Sequence, residues 1–190
     1  MNERMIFAGF GGQGILTIGK LVTACAMKEG RHVTFFPAYG GEVRGGTANC
    51  HVIITDEPIA SPLVEEASAL LVMNEPSLNR FKPVLAAGGL MVLNVSMVEK
   101  LPTLDSAEVL AIPATELASE IGDVRVANTI MLSALNTARG LVKPETLHDS
   151  FVEALAGRRA KSIPANEQAL DTGRRLGEAW LKNSNRTLRR

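Results

Sequence analysis

The first apolar and polar positions of the chain predict a strand, a glycine-rich turn, a helix and a second strand. Residues 5–8 form a short apolar run that ends in glycines, as in a buried strand. Apolar residues then recur at helical spacing over 15–25, and Gly30 is placed to end that helix. Residues 32–36 are rich in β-forming side chains. This order predicts a parallel strand pair joined by a right-handed crossover.

A third strand is predicted at residues 48–55, after a loop with several glycines. The connection is too short to contain a crossover helix, so we expect this strand to run antiparallel and the sheet to be mixed. Three later apolar runs predict further buried strands, with short helical stretches near 76–82 and 95–100 between them. Those runs cover residues 69–73, 90–94 and 108–112.

The last part of the chain is predicted to be helical. Residues 126–139 form an amphipathic pattern that Gly140 ends, and Pro144 opens a second helix that reaches about residue 156. A last helix is predicted over 164–181, with the side chains of Leu170, Leu176 and Trp180 facing inward.

The predicted fold class is therefore α/β, Rossmann-like. It has a mostly parallel, mixed open sheet of about six strands with flanking helices, and a helical C-terminal part. A chain of 190 residues suits a single domain, which we expect over 1–182, followed by a basic, flexible tail over 183–190.

Composition excludes several classes of protein. Basic and acidic residues balance to a formal charge of zero, which indicates neither a nucleic-acid partner nor a membrane surface. No apolar run reaches the ~20 residues of a membrane-spanning helix, and the two cysteines suit a reducing cytoplasm. No cysteine or histidine cluster indicates a metal, and the three histidines lie too far apart in sequence to suggest catalytic residues.

The first candidate site is the loop GFGGQG, with Gly9, Gly11, Gly12, Gln13 and Gly14 as its candidate binding residues. Glycines permit a tight turn and let backbone N–H groups approach an anion at a helix N-terminus. A dinucleotide site would also need an acidic residue about 20 residues further on, at the end of the second strand. This chain has Phe35, Phe36 and Pro37 there, while Glu29 comes before that strand and Glu42 after it. A phosphate or other anion, a partner segment, and simple close packing of helix on sheet remain open.

The second candidate site is the loop over residues 37–46, whose candidate residues are Tyr39, Glu42, Arg44, Gly45 and Gly46. The Arg44 guanidinium between glycines could bind a carboxylate or a phosphate. The alternative is an internal salt bridge between Glu42 and Arg44 on a surface loop, which would contribute little.

Polar residues also follow the ends of the later predicted strands. Asn74 follows the strand at 69–73, Asn94 ends the next, and Thr115 comes shortly after the last. The carboxyl edge of an open α/β sheet is where ligands bind, so Asn74 is a further candidate. Asn at a strand end is also ordinary turn chemistry.

In order, these motifs resemble the gamma subunit, or gamma domain, of pyruvate, 2-oxoglutarate and other 2-oxoacid:ferredoxin oxidoreductases. The resemblance covers about residues 5–139 and is specific because the two glycine loops occur together. The matching motifs are GFGGQG, PAYGGEVRGGT, DEPI with SP, MNEPS, IPATE and VAN at residues 126–128.

The resemblance implies a subunit of an enzyme that converts a 2-oxoacid and coenzyme A to an acyl-CoA, carbon dioxide and reduced ferredoxin. Thiamine diphosphate and iron–sulfur clusters are then expected in partner alpha, beta and, in some complexes, delta subunits, with no cofactor held by this chain alone. The gamma part is expected to close over the active site and to help receive coenzyme A. The isolated chain is expected to be inactive and able to form a homodimer.

The substrate and two alternative functions stay open at this point. The loop over 37–46 resembles 2-oxoglutarate members more than indolepyruvate members, with pyruvate and branched-chain oxoacids still open. A stand-alone dinucleotide-binding protein and a non-catalytic scaffold whose glycine loops only pack are the alternatives.

Overall fold

Six strands form one open sheet in a computed structural model that describes residues 1–39, 47–157 and 159–187. The strands lie in the order β2-β3-β1-β4-β5-β6. Their bounds are β1 Asn2–Phe10, β2 His32–Tyr39, β3 Thr47–Thr55, β4 Ala67–Val72, β5 Leu85–Asn94 and β6 Glu108–Ile112. The helices are α1 Ile15–Lys28, α2 Glu75–Phe81, α3 Ala114–Ile121, α4 Ala127–Arg139, α5 Pro144–Leu155 and α6 Ile163–Thr187. Short 3₁₀ turns occupy Lys82–Val84, Val95–Met97, Val124–Val126 and Ala160–Ser162.

The sheet is mixed, as predicted, but its first two strands are not neighbours. β3 runs antiparallel to both β1 and β2 and lies between them, whereas β1, β4, β5 and β6 pair in parallel. The predicted direct pairing of β1 with β2 is therefore wrong, although both strands run in the same direction. The short connection after β2 returns the chain beside it, and β3 then takes the position next to β1.

Alternating side chains divide the core into two layers, one on each face of the sheet. One face of β1 buries Met5 and Phe7 against α1 and the C-terminal helices, in the larger cluster. The other face buries Ile6 and Ala8 in a smaller cluster that includes Leu78 of α2. α1 and α2 therefore lie on opposite faces of the sheet.

The predicted elements differ from the observed ones in three places. The helix α3 was missed because it is only eight residues long, although Leu117 and Ile121 pack against the core at helical spacing from Ala114 and Ala118. The stretch near 95–100 holds only the 3₁₀ turn Val95–Met97. α6 continues to Thr187, into the segment predicted as a tail. The assignment of a single domain to residues 1–182 stays a prediction.

α6 packs on α4 through glycines. Leu170, Leu176 and Trp180 are partly buried against the core, as predicted. The closest approach is at Gly173, where an added Cβ would overlap the carbonyl oxygen of Ile130 and lie 2.7 Å from Ser133 Cβ. Four residues on, the corresponding Cβ at Gly177 would lie 2.7 Å from Thr137 Cβ. The two glycines thus set the distance between the helix axes.

Candidate functional site

The glycine loop follows β1, at the point where the helices that follow two neighbouring strands lie on opposite faces of the sheet. The chain leaves β1 through α1 on one face, and it leaves β4 through α2 on the other. β1 and β4 are paired in parallel, so their carboxyl ends meet at one edge of the sheet. Such a switch point leaves a crevice between the two loops, and it is the usual ligand position in open α/β sheets.

The loop holds its shape through two left-handed glycines and one backbone hydrogen bond. Gly12 and Gly14 have φ of 96° and 74°, a region that favours glycine. Gln13 N donates to Phe10 O at 3.1 Å. A Cβ at Gly9 would lie 2.7 Å from Gln13 Oε1 and 2.9 Å from Ile15 Cγ1, so close packing also requires glycine there. The interpretation of close helix-on-sheet packing is correct for Gly19, where a Cβ would lie 2.5 Å from Cys50 Sγ on β3. The close neighbour of Gly14 is instead the side chain of Asn128 on α4, and Gly11 and Gly12 are exposed.

Gln13 ties the loop to the end of β4. Its Oε1 accepts from Phe10 N at 2.6 Å and from Asn74 Nδ2 at 3.1 Å. Asn74 is 1% exposed, and its Oδ1 accepts from Ser77 N at 3.0 Å as the cap of α2. Gln13 and Asn74, predicted separately, therefore form one hydrogen-bonded bridge across the crevice.

Asn128 is a further loop contact, outside the predicted site residues although it lies in the VAN motif. From the first turn of α4, its Nδ2 donates to Gln13 O at 2.9 Å. The same amide nitrogen occupies the space that a Cβ of Gly14 would need. Thr129 Oγ1 donates to Asn166 Oδ1 at 2.8 Å, and Asn166 Nδ2 donates to Ser162 O at 2.8 Å. The glycine loop is thus braced by α4, which is itself tied to the start of α6.

Asn94 has a structural role at the same edge. Its Oδ1 accepts from Ala114 N at 3.1 Å, and its Nδ2 donates to Thr115 Oγ1 at 3.0 Å. These bonds fix the start of α3 against the end of β5, so the side chain is fully occupied by its own chain. The turn interpretation is therefore correct for Asn94.

The N-terminus of α1 is electropositive. Gly14 supplies no side chain to cap the helix, and the first turn contains no acidic residue. The leading N–H groups of a helix lack internal acceptors, and the helix dipole adds a partial positive charge. Gly11 and Gly12, which shortly precede the helix in the chain, are exposed. This geometry suits a phosphate or a carboxylate.

Two histidines of the described residues, His51 and His148, have structural partners. His51 Nδ1 accepts from Val64 N at 2.9 Å, and burial lowers the pKa of this histidine. His148 contacts Asp149 and Glu167, whose hydrogen bonds raise its pKa. Burial raises the pKa of the Cys50 thiol to about 12, and it also raises the pKa of Cys25. The described residues contain no group of three or more His, Cys, Asp or Glu able to hold a metal ion.

Comparison with known proteins assigns the family. Residues 4–176 match the pyruvate ferredoxin/flavodoxin oxidoreductase family. The chain belongs to this family. The prediction from the ordered motifs is confirmed, because the match includes both the glycine loop and the helical part.

Two relatives have the same domain in proteins of different length. The ketoisovalerate oxidoreductase subunit VorA of Methanothermobacter thermautotrophicus is 36% identical over 172 residues, 90% of this chain. This chain spans only 35% of the length of VorA. The pyruvate/ketoisovalerate oxidoreductases common subunit gamma of Thermococcus kodakarensis is 32% identical over 174 residues, 87% of this chain and 94% of that protein.

A solved structure of the family supports the fold. The 2-oxoglutarate:ferredoxin oxidoreductase from Magnetococcus marinus, with 2-oxoglutarate, coenzyme A and succinyl-CoA bound, superposes with a TM-score of 0.86. The likeness covers 94% of this chain and 31% of that chain at 22% identity. The predicted α/β fold is therefore confirmed.

The family member described here lacks the strand arrangement of a dinucleotide-binding domain. In that domain the ribose-binding acid ends the strand next to β1. Here β3 takes that position, and β2 lies two strands away, about 10 Å at ordinary strand spacing. The end of β2 is also apolar, so the geometry does not favour the dinucleotide alternative.

The second predicted loop lies largely outside the residues that the structure describes. Glu42, Arg44, Gly45 and Gly46 lie outside the residues that the structure describes, as does the side chain of Tyr39. Their assignment as binding residues remains a prediction. Among the described residues, no helix is both long enough and apolar enough to cross a membrane.

Proposed function

We propose that this chain is the gamma-type subunit of a 2-oxoacid:ferredoxin oxidoreductase complex. The complex would oxidatively decarboxylate a 2-oxoacid with coenzyme A to acyl-CoA, carbon dioxide and reduced ferredoxin. The observation that carries the proposal is the family match over residues 4–176, combined with an intact glycine loop at the switch point of the sheet. The match to a subunit named gamma over 94% of its length supports a separate gamma chain.

The substrate is a 2-oxoacid, with 2-oxoglutarate the first to be tested because of the loop over residues 37–46. A relative named as common to pyruvate and ketoisovalerate enzymes supports a gamma chain that does not itself select the oxoacid. Selection then falls to the partner chains, and pyruvate and branched-chain oxoacids are the next candidates.

The role of this chain toward coenzyme A is to hold its anionic groups. The N–H groups at the start of α1, behind Gly11 and Gly12, suit a phosphate, and Gln13, Asn74 and Asn128 keep the loop in place. Coenzyme A supplies the thiol that accepts the acyl group. Glycine is required at positions 11 and 12 because a side chain there would stand between the backbone N–H donors and the ligand. Tyr39, Glu42, Arg44, Gly45 and Gly46 are proposed as further contacts.

The partners are alpha and beta chains, and a delta chain where the complex has one, with ferredoxin bound through the complex. Thiamine diphosphate and iron–sulfur clusters belong to those partners in this proposal, since the described part of this chain offers no metal-binding group. We place the complex in the cytoplasm, which agrees with two buried, unpaired cysteines.

The test is native affinity isolation with this chain as bait, followed by intact-mass analysis and assay of oxoacid-dependent ferredoxin reduction. We expect larger chains that carry thiamine diphosphate and iron–sulfur clusters. Recovery of this chain alone with a bound nucleotide would refute the proposal in favour of the dinucleotide alternative.

A pair of glycine variants tests the role of the loop in the isolated complex. Gly11→Ala should raise the KM for coenzyme A about tenfold, the equivalent of roughly 1.4 kcal/mol, with little change in melting temperature. Gly30→Ala, at the other end of α1 with φ of 80°, is the control and should lower stability without changing that KM. A Gly11→Ala complex with a normal KM would support the scaffold alternative instead.

A further inference from the structure

A groove runs along the outer side of α1, next to the glycine loop. Two cavities of about 230 and 580 Å³ lie on this side. Both are lined by Thr17, Leu21 and Ala154, so they join between α1 and α5. One end reaches the 3₁₀ turn Val124–Val126, and the other reaches β2 at Phe35. We call this feature the α1–α5 groove.

The floor of the α1–α5 groove is apolar. Phe151 of α5 is 7% exposed, and it faces the groove together with partly buried side chains from α1 and β2. These partly buried side chains are Leu16, Leu21 and Phe35. Apolar side chains of another segment could pack on this floor.

The rim of the groove is basic. Its lining includes Lys20, Arg125 and Arg159, against a single acidic residue, Asp123. Both Asp123 oxygens are taken by Arg125, through bonds of 2.8 Å from Nε and 2.7 Å from Nη2. Within the described residues, the Lys20 and Arg159 side chains form neither a hydrogen bond nor an ion pair. Because the whole chain is formally neutral, this positive charge is local to the groove.

The groove continues into the candidate site. Asn128 lines it and also donates to Gln13 O of the glycine loop. Thr17, in the first turn of α1, lies between the two. A segment seated in the groove would therefore hold the loop at a fixed position relative to its own chain.

We propose that the α1–α5 groove receives a segment of a partner subunit with apolar side chains flanked by aspartate or glutamate. This inference rests on the proposed function, which supplies the partner chains. Apolar side chains would cover the floor, and carboxylates would meet Lys20 and Arg159, with charge complementarity setting the register.

A second copy of this chain fits the groove less well. The chain does carry an acidic and apolar stretch of its own, where Leu63 is 47% exposed beside the exposed Glu65 and Glu66. A contact between that stretch and the groove would join two different surfaces. One such contact leaves a free groove and a free stretch at its two ends, so it builds rings or open chains of subunits unless a twofold axis makes it reciprocal.

Zero-length carbodiimide coupling of the purified native complex is the first test. This reagent joins a lysine amine to a carboxylate in direct contact, and peptide mass spectrometry identifies the pair. We expect Lys20 to couple to an aspartate or glutamate of another subunit, next to apolar residues. Lys100, an exposed lysine after β5 on the other side of the sheet, is the control and should not give that link.

Charge reversal is the second test. The double variant Lys20→Glu/Arg159→Glu should bind the partner chains roughly tenfold more weakly than wild type, while Lys100→Glu should bind normally. Added salt should weaken the binding of partner chains more steeply for the wild-type chain than for the double variant. Unchanged melting of the free chain shows that folding is intact.

The outcomes separate the two proposals. If the double variant forms the complex normally and the native complex gives no Lys20 link to another subunit, the groove proposal is refuted and the subunit function stands. A Lys20 link to Glu65 or Glu66 of a second copy replaces the partner by self-association. If the wild-type chain captures no partner, the subunit function fails and the proposed occupant of the groove fails with it.

Discussion

Gly173→Ala tests how closely α4 and α6 must pack. An added Cβ would overlap the Ile130 carbonyl oxygen and lie 2.7 Å from Ser133 Cβ and 3.0 Å from Ala134 N. Two of these three obstacles are backbone atoms, which cannot rotate away, so the helices must separate. Inserting a methyl group into such a contact costs up to about 3 kcal/mol.

Helix propensity acts in the opposite direction. Alanine is favoured over glycine in a helix interior by about 1 kcal/mol, so propensity alone predicts a more stable protein. The two effects together give a net loss of about 2 kcal/mol, which for a chain of this size corresponds to about 4–8 °C in melting temperature. Urea unfolding of the isolated chain measures the free energy directly.

Two further variants make this test specific. Ala179→Gly, on the exposed side of the same helix, should lose about 1 kcal/mol from propensity alone. Gly177→Ala should cost less than Gly173→Ala, because its closest approaches are 2.7 Å to Thr137 Cβ and 2.9 Å to Ala134 O, whereas at Gly173 the added Cβ would overlap the Ile130 carbonyl oxygen. A Gly173→Ala protein as stable as wild type, or more stable, would refute the packing argument.

Three other predictions follow from contacts elsewhere in the fold. Asn128→Ala removes the bond to Gln13 O and should cost about 1 kcal/mol, with faster amide hydrogen exchange at Gly12 and Gly14; unchanged exchange would contradict the bracing role. Gly19→Ala places a Cβ 2.5 Å from Cys50 Sγ and should lower the free energy of urea unfolding by about 1–3 kcal/mol. Adding Cys50→Ala to the same chain should recover part of that loss. If the losses of the two single variants simply add, the contact between the two positions is excluded. His148, whose pKa is raised in the folded state by Asp149 and Glu167, should stabilise the protein most at a pH below its unfolded pKa of about 6.5, and this contribution should disappear as pH rises through the higher folded value. Unfolding midpoints of wild type and His148→Gln should therefore converge at alkaline pH, and a constant difference would refute the linkage.

The secondary structure was predictable where the local pattern is strong. The strand at 108–112 was predicted with its observed bounds, and the short connection after β2 correctly indicated an antiparallel β3. The place of β3 between β1 and β2 was not predictable from that connection, because strand order depends on pairing between distant segments. α3 shows the complementary failure, since its apolar residues recur at helical spacing over only eight positions, a length that a loop can also have.

The motifs that form the candidate site were predictable from the sequence, but their arrangement in space was not. The GFGGQG loop and Asn74 were both identified, but their hydrogen bond joins residues 61 positions apart. Asn128 is 115 positions from the carbonyl that it contacts, and no local pattern distinguishes it from other polar residues in the first turn of a helix. Gly173 was not identified for a related reason. An apolar pattern reveals positions with apolar side chains, whereas Gly173 matters because it has no side chain.

The bracing of the glycine loop by Asn74 and Asn128 also bears on how the subunit matures. During synthesis the loop emerges first, but its two amide braces follow much later, from α2 and α4. A nascent or truncated chain that ends before α4 has the loop sequence without the contacts that shape it. If the proposed complex forms, competence to join it would therefore be acquired only after α4 has been made.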